Sequence, residues 1–242
     1  MSFLEHLEEL RRTLIHIFIA VAVGAGVCWV LSERVLVWLI DHTSGQAMFM
    51  KPQGAFIARL KVSVVLGLLL ALPYVFYRAW SFVGPGLLET ERKVVLPGSL
   101  SSVLLFYIGV GFSYFALTPL MVKVLLGFGA ANLTAQTEIN FLLDLVFTMG
   151  MACGLVFQLP LVLAFLTAIN VLEPRFLRAY WRHAVVLIFI LAALLTPADP
   201  LSQVMLAIPL VVLYVASYGI CTLIYRRKRA PTPPETDDAA GH

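Results

Sequence analysis

Residues 62–82 read VSVVLGLLLALPYVFYRAWSF, an apolar run whose one charge is Arg78 and whose one proline is Pro73. As a helix these 21 residues reach about 32 Å, enough to cross the roughly 30 Å hydrocarbon core of a bilayer. Five further apolar stretches bounded by charge or proline run from Thr13 to Leu31, Gly98 to Leu117, Leu145 to Ile169, Ala184 to Leu195 and Val204 to Tyr225. The sequence therefore predicts an all-α integral membrane protein with six transmembrane helices in one domain, residues 1–229. Kinks are expected at Pro73, Pro160 and Pro209. The fifth stretch has only 12 apolar residues, about 18 Å of helix, so it needs a thinned membrane or shielding by its neighbours. The tail 230–242, PTPPETDDAAGH from Pro231 onward, is polar and proline-rich and is expected to be disordered.

Composition agrees with lipid as the solvent. The chain of 242 residues is 60% hydrophobic and 13% charged, with a mean hydropathy of +0.91, where a soluble domain is about a quarter charged. A net charge of +3 is too small and too scattered for a nucleic-acid binder. The one dense basic run, Arg226-Arg227-Lys228-Arg229, abuts the last apolar stretch and reads as a cytoplasmic anchor. Residues Ser2 to Glu9 are acidic rather than basic and no small-residue cleavage site follows the first run, so the first span is expected to be retained. Cys28, Cys153 and Cys221 lie far apart inside apolar segments and read as packing residues.

Charge asymmetry sets the expected orientation. With the N-terminus inside, twelve cations flank the cytoplasmic ends: Arg11 and Arg12; Arg78, Arg92 and Lys93; Arg175, Arg178 and Arg182; and the four of the tail. Five, namely Arg34, Lys51, Arg59, Lys61 and Lys123, fall outside. The excess predicts both termini in the cytoplasm, with Trp80, Tyr180 and Trp181 at interface level.

Ser2 and Glu5 form a capping box, and Phe3, Leu4, Leu7, Leu10 and Leu14 recur at helical spacing. This predicts an amphipathic helix on the inner surface that runs into the first span. Glu8 finds Arg12 four residues on, whereas Glu9 finds Thr13 there and like-charged Glu5 behind it, which leaves Glu9 the less satisfied acid. In the second cytoplasmic loop, FVGPGLLETERKV, Glu89 meets Arg92 and Lys93 while Glu91 meets only Leu87 and Val95. Taken separately, a solvated helix face and a Gly84-Pro85-Gly86 turn account for the same residues. Together, two under-paired acids on one face of the membrane suit a ligand with adjacent arginines. A guanidinium is permanently charged and grips a carboxylate through two N–H groups, which a lysine cannot do.

Within the membrane the polar candidates are Asp144, Gln158, Asp199 and Gln203. Gln158 precedes Pro160 and can donate to carbonyls that the proline frees; Asp199, between two prolines, can cap the sixth helix. Gly150 and Gly154 form a GxxxG, a signature of close helix packing. The chain has no GxxxxGK[ST] loop, no HExxH, no serine-nucleophile motif and no cluster of His and acids within one span. No catalytic residue, metal or cofactor is assigned, and any work must draw on a source such as the transmembrane potential.

Six segments carry a resemblance: HLEELR (His6 to Arg11), KPQGAF (Lys51 to Phe56), PYVFYRAWSFVGPGL followed by ETER (Pro73 to Arg92), LLFYIGVGFSYF (Leu104 to Phe115), FQLP (Phe157 to Pro160) and LLTPADPLSQVMLAIPLVVLY (Leu194 to Tyr214). In order and over nearly the whole chain they resemble the TatC family, the polytopic subunit of the twin-arginine protein translocase. The resemblance implies a concave six-helix receptor in the cytoplasmic membrane of a bacterium or archaeon. It implies binding of twin-arginine signal peptides of folded precursors, assembly with single-span TatA- and TatB-type subunits and with itself, and transport driven by the proton-motive force. It assigns Glu9 and Glu91 to the arginine pair, with Leu10, Arg11 and Arg92 in the same two motifs, and gives Pro52, Phe56, Pro85, Gln158, Pro160, Asp199 and Gln203 structural, partner or translocation roles. The chain departs from the family pattern at Thr13, where a second arginine is usual, and at Gln158 and Val215, where acids are common.

Two other classes compete. A secondary transporter for a small solute needs paired broken helices around midplane polar sites, and no convincing internal repeat is present. An intramembrane hydrolase lacks every nucleophile motif.

Overall fold

A computed structural model describes residues 3–43, 47–48, 50–83, 95–127, 137–195 and 200–229. Helix α1 spans Phe3–Thr43, joining the amphipathic N-terminal turns and the first apolar stretch in one rod. It continues well past Leu31, where the apolar stretch ends. Residues Ser32 to Thr43 contain neither proline nor glycine, and Leu36 and Leu39 recur on one helical face. Both leucines are buried against Ala58, Val62, Ile139, Leu142, Leu143 and Val146.

Helix α2 spans Gly54–Val83 with Pro73 inside it, and it runs antiparallel to α1. Ser63 Oγ donates to the Ala25 carbonyl at 2.5 Å, while Arg59 pairs with Glu33 at 3.4 Å. The two helices touch main chain to main chain. A Cβ on Gly24 would sit 2.8 Å from the Gly67 carbonyl oxygen, and one on Gly67 would strike the backbone of Gly24 and Ala25. Small residues permit this approach where lipid offers no hydrophobic drive for association.

Helix α3, Val95–Phe112, leads through a π-helical turn, Ser113–Leu117, into α4, Thr118–Gly127. The third apolar stretch ends at Leu117, but the helix does not. Pro119 lacks an N–H and its ring crowds the carbonyl one turn back in a regular helix. The wider turn directly before it, closed by the Thr118 N–H on the Ser113 carbonyl, relieves that crowding. One short feature interrupts the all-α architecture. Strands β1 (Ala47–Met48) and β2 (Thr137–Glu138) pair in parallel, tying the α1–α2 connection to the segment that precedes α5.

Helix α5, Ile139–Val156, lies between two apolar clusters. Leu142, Leu143 and Val146 face α1 and α2; Leu145, Met149 and Cys153 face Leu117, Met121, Ile188, Leu206 and Leu210. A turn at Phe157 and Gln158 separates α5 from α6, Leu159–Ala168, which has Pro160 in its first turn. Helices α7 (Pro174–Ala179), α8 (Trp181–Leu195) and α9 (Pro200–Arg229, with Pro209 inside) complete the chain. Among the described residues five helical stretches are long and apolar enough to cross a membrane: Leu7–His42, Gly54–Phe82, Leu96–Val124, Ile139–Ala168 and Pro200–Arg226. Helix α8 has 15 residues, about 22 Å, and falls short of a 30 Å core as its sequence implies.

Asp144 is not an isolated intramembrane acid. Its carboxylate accepts a charge-assisted bond from Lys61 Nζ at 2.6 Å, so it clamps α5 to α2. Cys153 and Cys221 are buried and Cys28 is half-buried; all three are free thiols.

Candidate functional site

Interruptions of a helix leave carbonyls without donors, and at two places side chains supply them. Pro73 frees the Leu69 carbonyl four residues back, and the Tyr107 hydroxyl donates to it at 2.7 Å. At the α5–α6 break the Gln158 backbone N–H turns to Leu155, so the Gly154 carbonyl loses its regular donor. Gln158 Nε2 donates to Gly154 O at 3.4 Å and, more closely, to Ser102 O on α3 at 3.0 Å. Ser102 also accepts from Trp80 Nε1 of α2 at 2.8 Å. Trp80 packs edge-on against Phe165 of α6, with centroids 5.0 Å apart, and over Gly98, where a Cβ would lie 2.9 Å from its ring. Gly154 admits Phe106 in the same way, and Gly109 admits the Cys153 backbone. Of the GxxxG pair, Gly154 makes the close approach and Gly150 does not, since its nearest neighbour is Val110 at 3.8 Å.

Gln158 is thus a connector between α3 and the α5–α6 break. Replacing it with leucine should cost about 1 kcal/mol, the usual scale of a side-chain hydrogen bond between membrane helices, read as a lower thermal midpoint in detergent. Because an amide does not titrate, the pH dependence of transport should not move; a shifted pH profile would give Gln158 a proton-transfer role instead.

The N-terminal turns of α1 hold the described part of the predicted recognition site. Leu10 and Arg11 are exposed and Glu9 is half-buried. Glu8 pairs with Arg12 at 3.0 Å as its spacing predicts. Glu9 has an interaction of its own, beyond the i+4 pairing that the sequence offers Glu8. Thr13, at the position where a second arginine is usual, is buried with 6% of its surface exposed. Glu91, Arg92, Pro85 and Asp199 lie outside the described residues.

The described helices put Glu9 level with the end of α2. Gly24 meets Gly67 in an antiparallel crossing. Fifteen residues back along α1 is Glu9 and fifteen forward along α2 is Phe82, each about 22 Å from the crossing. The segment carrying Glu91 leaves α2 one residue after that level.

At the opposite end, Pro52 is exposed in the turn before α2, closed by the Gly54 N–H on the Lys51 carbonyl at 2.8 Å. Phe56 is exposed and meets Trp29 edge-on at 5.9 Å, and Arg59 lies 5.2 Å over the same indole. Gln203 Nε2 donates to Phe189 O at 3.0 Å, tying α9 to α8. The Tyr107, Trp80 and Arg59 contacts were not read from the sequence. For Tyr107 a signal existed, since every intrahelical proline marks a carbonyl that needs a donor.

Comparison with known proteins identifies the architecture. The family model described as Sec-independent protein translocase protein (TatC) matches residues 5–209. The Sec-independent protein translocase protein TatC of Koribacter versatilis is 34% identical, over 95% of this chain and 89% of its own length. That of Desulforapulum autotrophicum is 38% identical over 89% and 82%. A crystal structure of the twin arginine translocase receptor TatC superposes with a TM-score of 0.80 at 31% identity, over 90% of this chain and 99% of that one. This multi-helix membrane protein therefore belongs to the TatC family of Sec-independent protein translocase components.

Proposed function

We propose that the chain is the membrane receptor for precursors whose signal peptides carry two adjacent arginines. In this reading Glu9 and Glu91 each hold one guanidinium, Leu10 packs beside the peptide, and Arg11 and Arg92 position the acids. The observation that carries it is the placing of Glu9 at the level where α2 ends and the Glu91 segment begins. Half-burial of Glu9 favours a charge-assisted, partly desolvated contact over a solvated one.

The same reading puts both termini and the Glu91 segment in the cytoplasm, with Lys51, Lys123 and Asp199 facing outward, as the basic excess requires. It makes the chain a non-enzymatic component that works with single-span TatA- and TatB-type subunits and with further copies of itself, drawing on the proton-motive force. Pro52, Phe56, Pro85, Pro160, Asp199 and Gln203 shape the ends of helices for those contacts. The transporter alternative gains no support from the family.

Photo-crosslinking tests orientation and recognition together. A crosslinker at Leu10 should capture a twin-arginine precursor added to inverted membrane vesicles and should miss the same precursor with a lysine pair. Capture from the external face only, or equal capture of both precursors, contradicts the reading.

A further inference from the structure

We infer that the corner formed by α7, α8 and α9 binds an anionic phospholipid, its phosphate held by arginines at the α7–α8 junction and one acyl chain lying in the groove beside α9. Asn170, in left-handed backbone with φ 57°, ends α6 in a tight turn in which the Val171 and Leu172 N–H groups return to the Leu166 carbonyl. Asparagine tolerates that conformation. Pro174 then opens α7, and the chain presents Arg175, Arg178 and Arg182 within eight residues, all exposed. Glu173 is the one acid between Asn170 and Leu195. Among the described residues none of the three arginines has an ion pair or a side-chain hydrogen bond. Phe176, Tyr180 and Trp181 are each about half exposed beside them, and Arg182 lies 5.9 Å over the Trp181 ring.

Depth decides what neutralises these charges. The Tyr214 hydroxyl donates to the Leu177 carbonyl at 2.8 Å, so α7 sits level with Tyr214. That residue is fourteen positions along α9 from Pro200, about 21 Å of helix. The short α8 gives the same depth from the other side. In a core of about 30 Å the arginines therefore lie below the plane of the headgroups, where an unpaired cation is costly and draws polar groups inward. A lipid phosphate is the anion nearest to that depth and the one drawn inward to it, and a guanidinium fork matches it through two N–H groups.

A groove of about 210 Å³ opens beside them, lined by Leu177, Arg178, Trp181, Tyr214, Val215 and Tyr218. Arg178 is the one charge among these residues, so the groove suits hydrocarbon with an anionic head. An α-helix, about 10 Å across with its side chains, is too thick to enter it. The inference is independent of the receptor reading, since it needs neither signal peptide nor orientation.

The test uses the full-length protein in phosphatidylcholine bilayers with spin-labelled phosphatidylglycerol or spin-labelled phosphatidylcholine, and reads the motionally restricted fraction. The relative association constant should favour phosphatidylglycerol by about tenfold, between the contributions of one and two arginines near an anionic surface. High salt should reduce it. Joint replacement of Arg175, Arg178 and Arg182 by glutamine should lower the ratio to the residual preference of the remaining cations, the Arg226–Arg229 run among them, and replacement by lysine should retain part of the difference. Should the glutamine variant fail to fold, Val215→Glu leaves the arginines in place but sets a carboxylate in the groove, and it should also lower the ratio. Equal association of the two lipids with the wild type, or a ratio unchanged in both the glutamine variant and Val215→Glu, overturns the site. So does a phosphatidylglycerol preference that arises only when a single-span partner is bound, which assigns the face to that partner.

Discussion

Glu91→Ala is expected to abolish export of a twin-arginine precursor while leaving the protein in the membrane at its normal level. Glu9→Ala should act in the same direction but more mildly, because Glu5 and Glu8 lie close by in sequence and can take over part of the charge. The magnitude follows from the kind of contact proposed. An exposed ion pair contributes about 0 to 1 kcal/mol, whereas a partly desolvated, charge-assisted pair contributes about 1.5 to 3 kcal/mol. Two such contacts shift affinity by roughly 3 to 6 kcal/mol, or about two to four decades. Export of a reporter precursor, with membrane content followed by immunoblot, measures both quantities. Wild-type export by the Glu91 variant removes that residue from the site, and joint loss of export and protein turns the effect into one of folding.

The second large effect belongs to the scaffold. Gly67→Leu should prevent α1 and α2 from closing, since even a Cβ at Gly67 strikes the Gly24 and Ala25 backbone. Main chain cannot swing aside as a flexible side chain does, so the cost should reach or exceed the upper end of the 1–3 kcal/mol typical of overpacking. Gly26→Leu is the matched control, because a Cβ there meets nothing within 4 Å. Thermal aggregation midpoints in detergent should fall steeply for the first variant and stay near wild type for the second. Equal midpoints would show that the Gly24–Gly67 approach does not limit the packing of α1 on α2. In the proposed reading Glu9 and the end of α2 are held level by that crossing, so Gly67→Leu should also lower precursor binding without touching either acid.

Hydropathy made the helices legible because lipid imposes one requirement on all of them, an apolar surface about 30 Å long. It marks where lipid is, however, and not where helix ends. Helix α1 therefore outruns its apolar stretch, and the spacing of Leu36 and Leu39 was the available sign. The π turn at Ser113–Leu117 was not legible from hydropathy, although Pro119 supplied its cause. Lys61 and Asp144 were both visible, yet they stand 83 positions apart, and no rule of local spacing joins them. Gly67 sits singly in its apolar run and Gly24 sits two residues from Gly26, and nothing in the sequence says which glycine meets which. The motifs near Glu9 and Glu91 were read through family resemblance, and the recognition role proposed for them rests on that resemblance and on the level of Glu9 beside the end of α2.

The central claim is recognition of an arginine pair by two carboxylates, and the most direct measurement is the affinity of the full-length protein for a signal peptide. Binding of the native peptide should exceed that of the same peptide with both arginines changed to lysine, and Glu91→Ala should weaken the native peptide by about one to two decades, one contact's share of the estimate above. If the lysine peptide binds the wild type as tightly as the native one, or if Glu91→Ala leaves native binding unchanged, the carboxylates are solvated surface and the recognition site lies elsewhere.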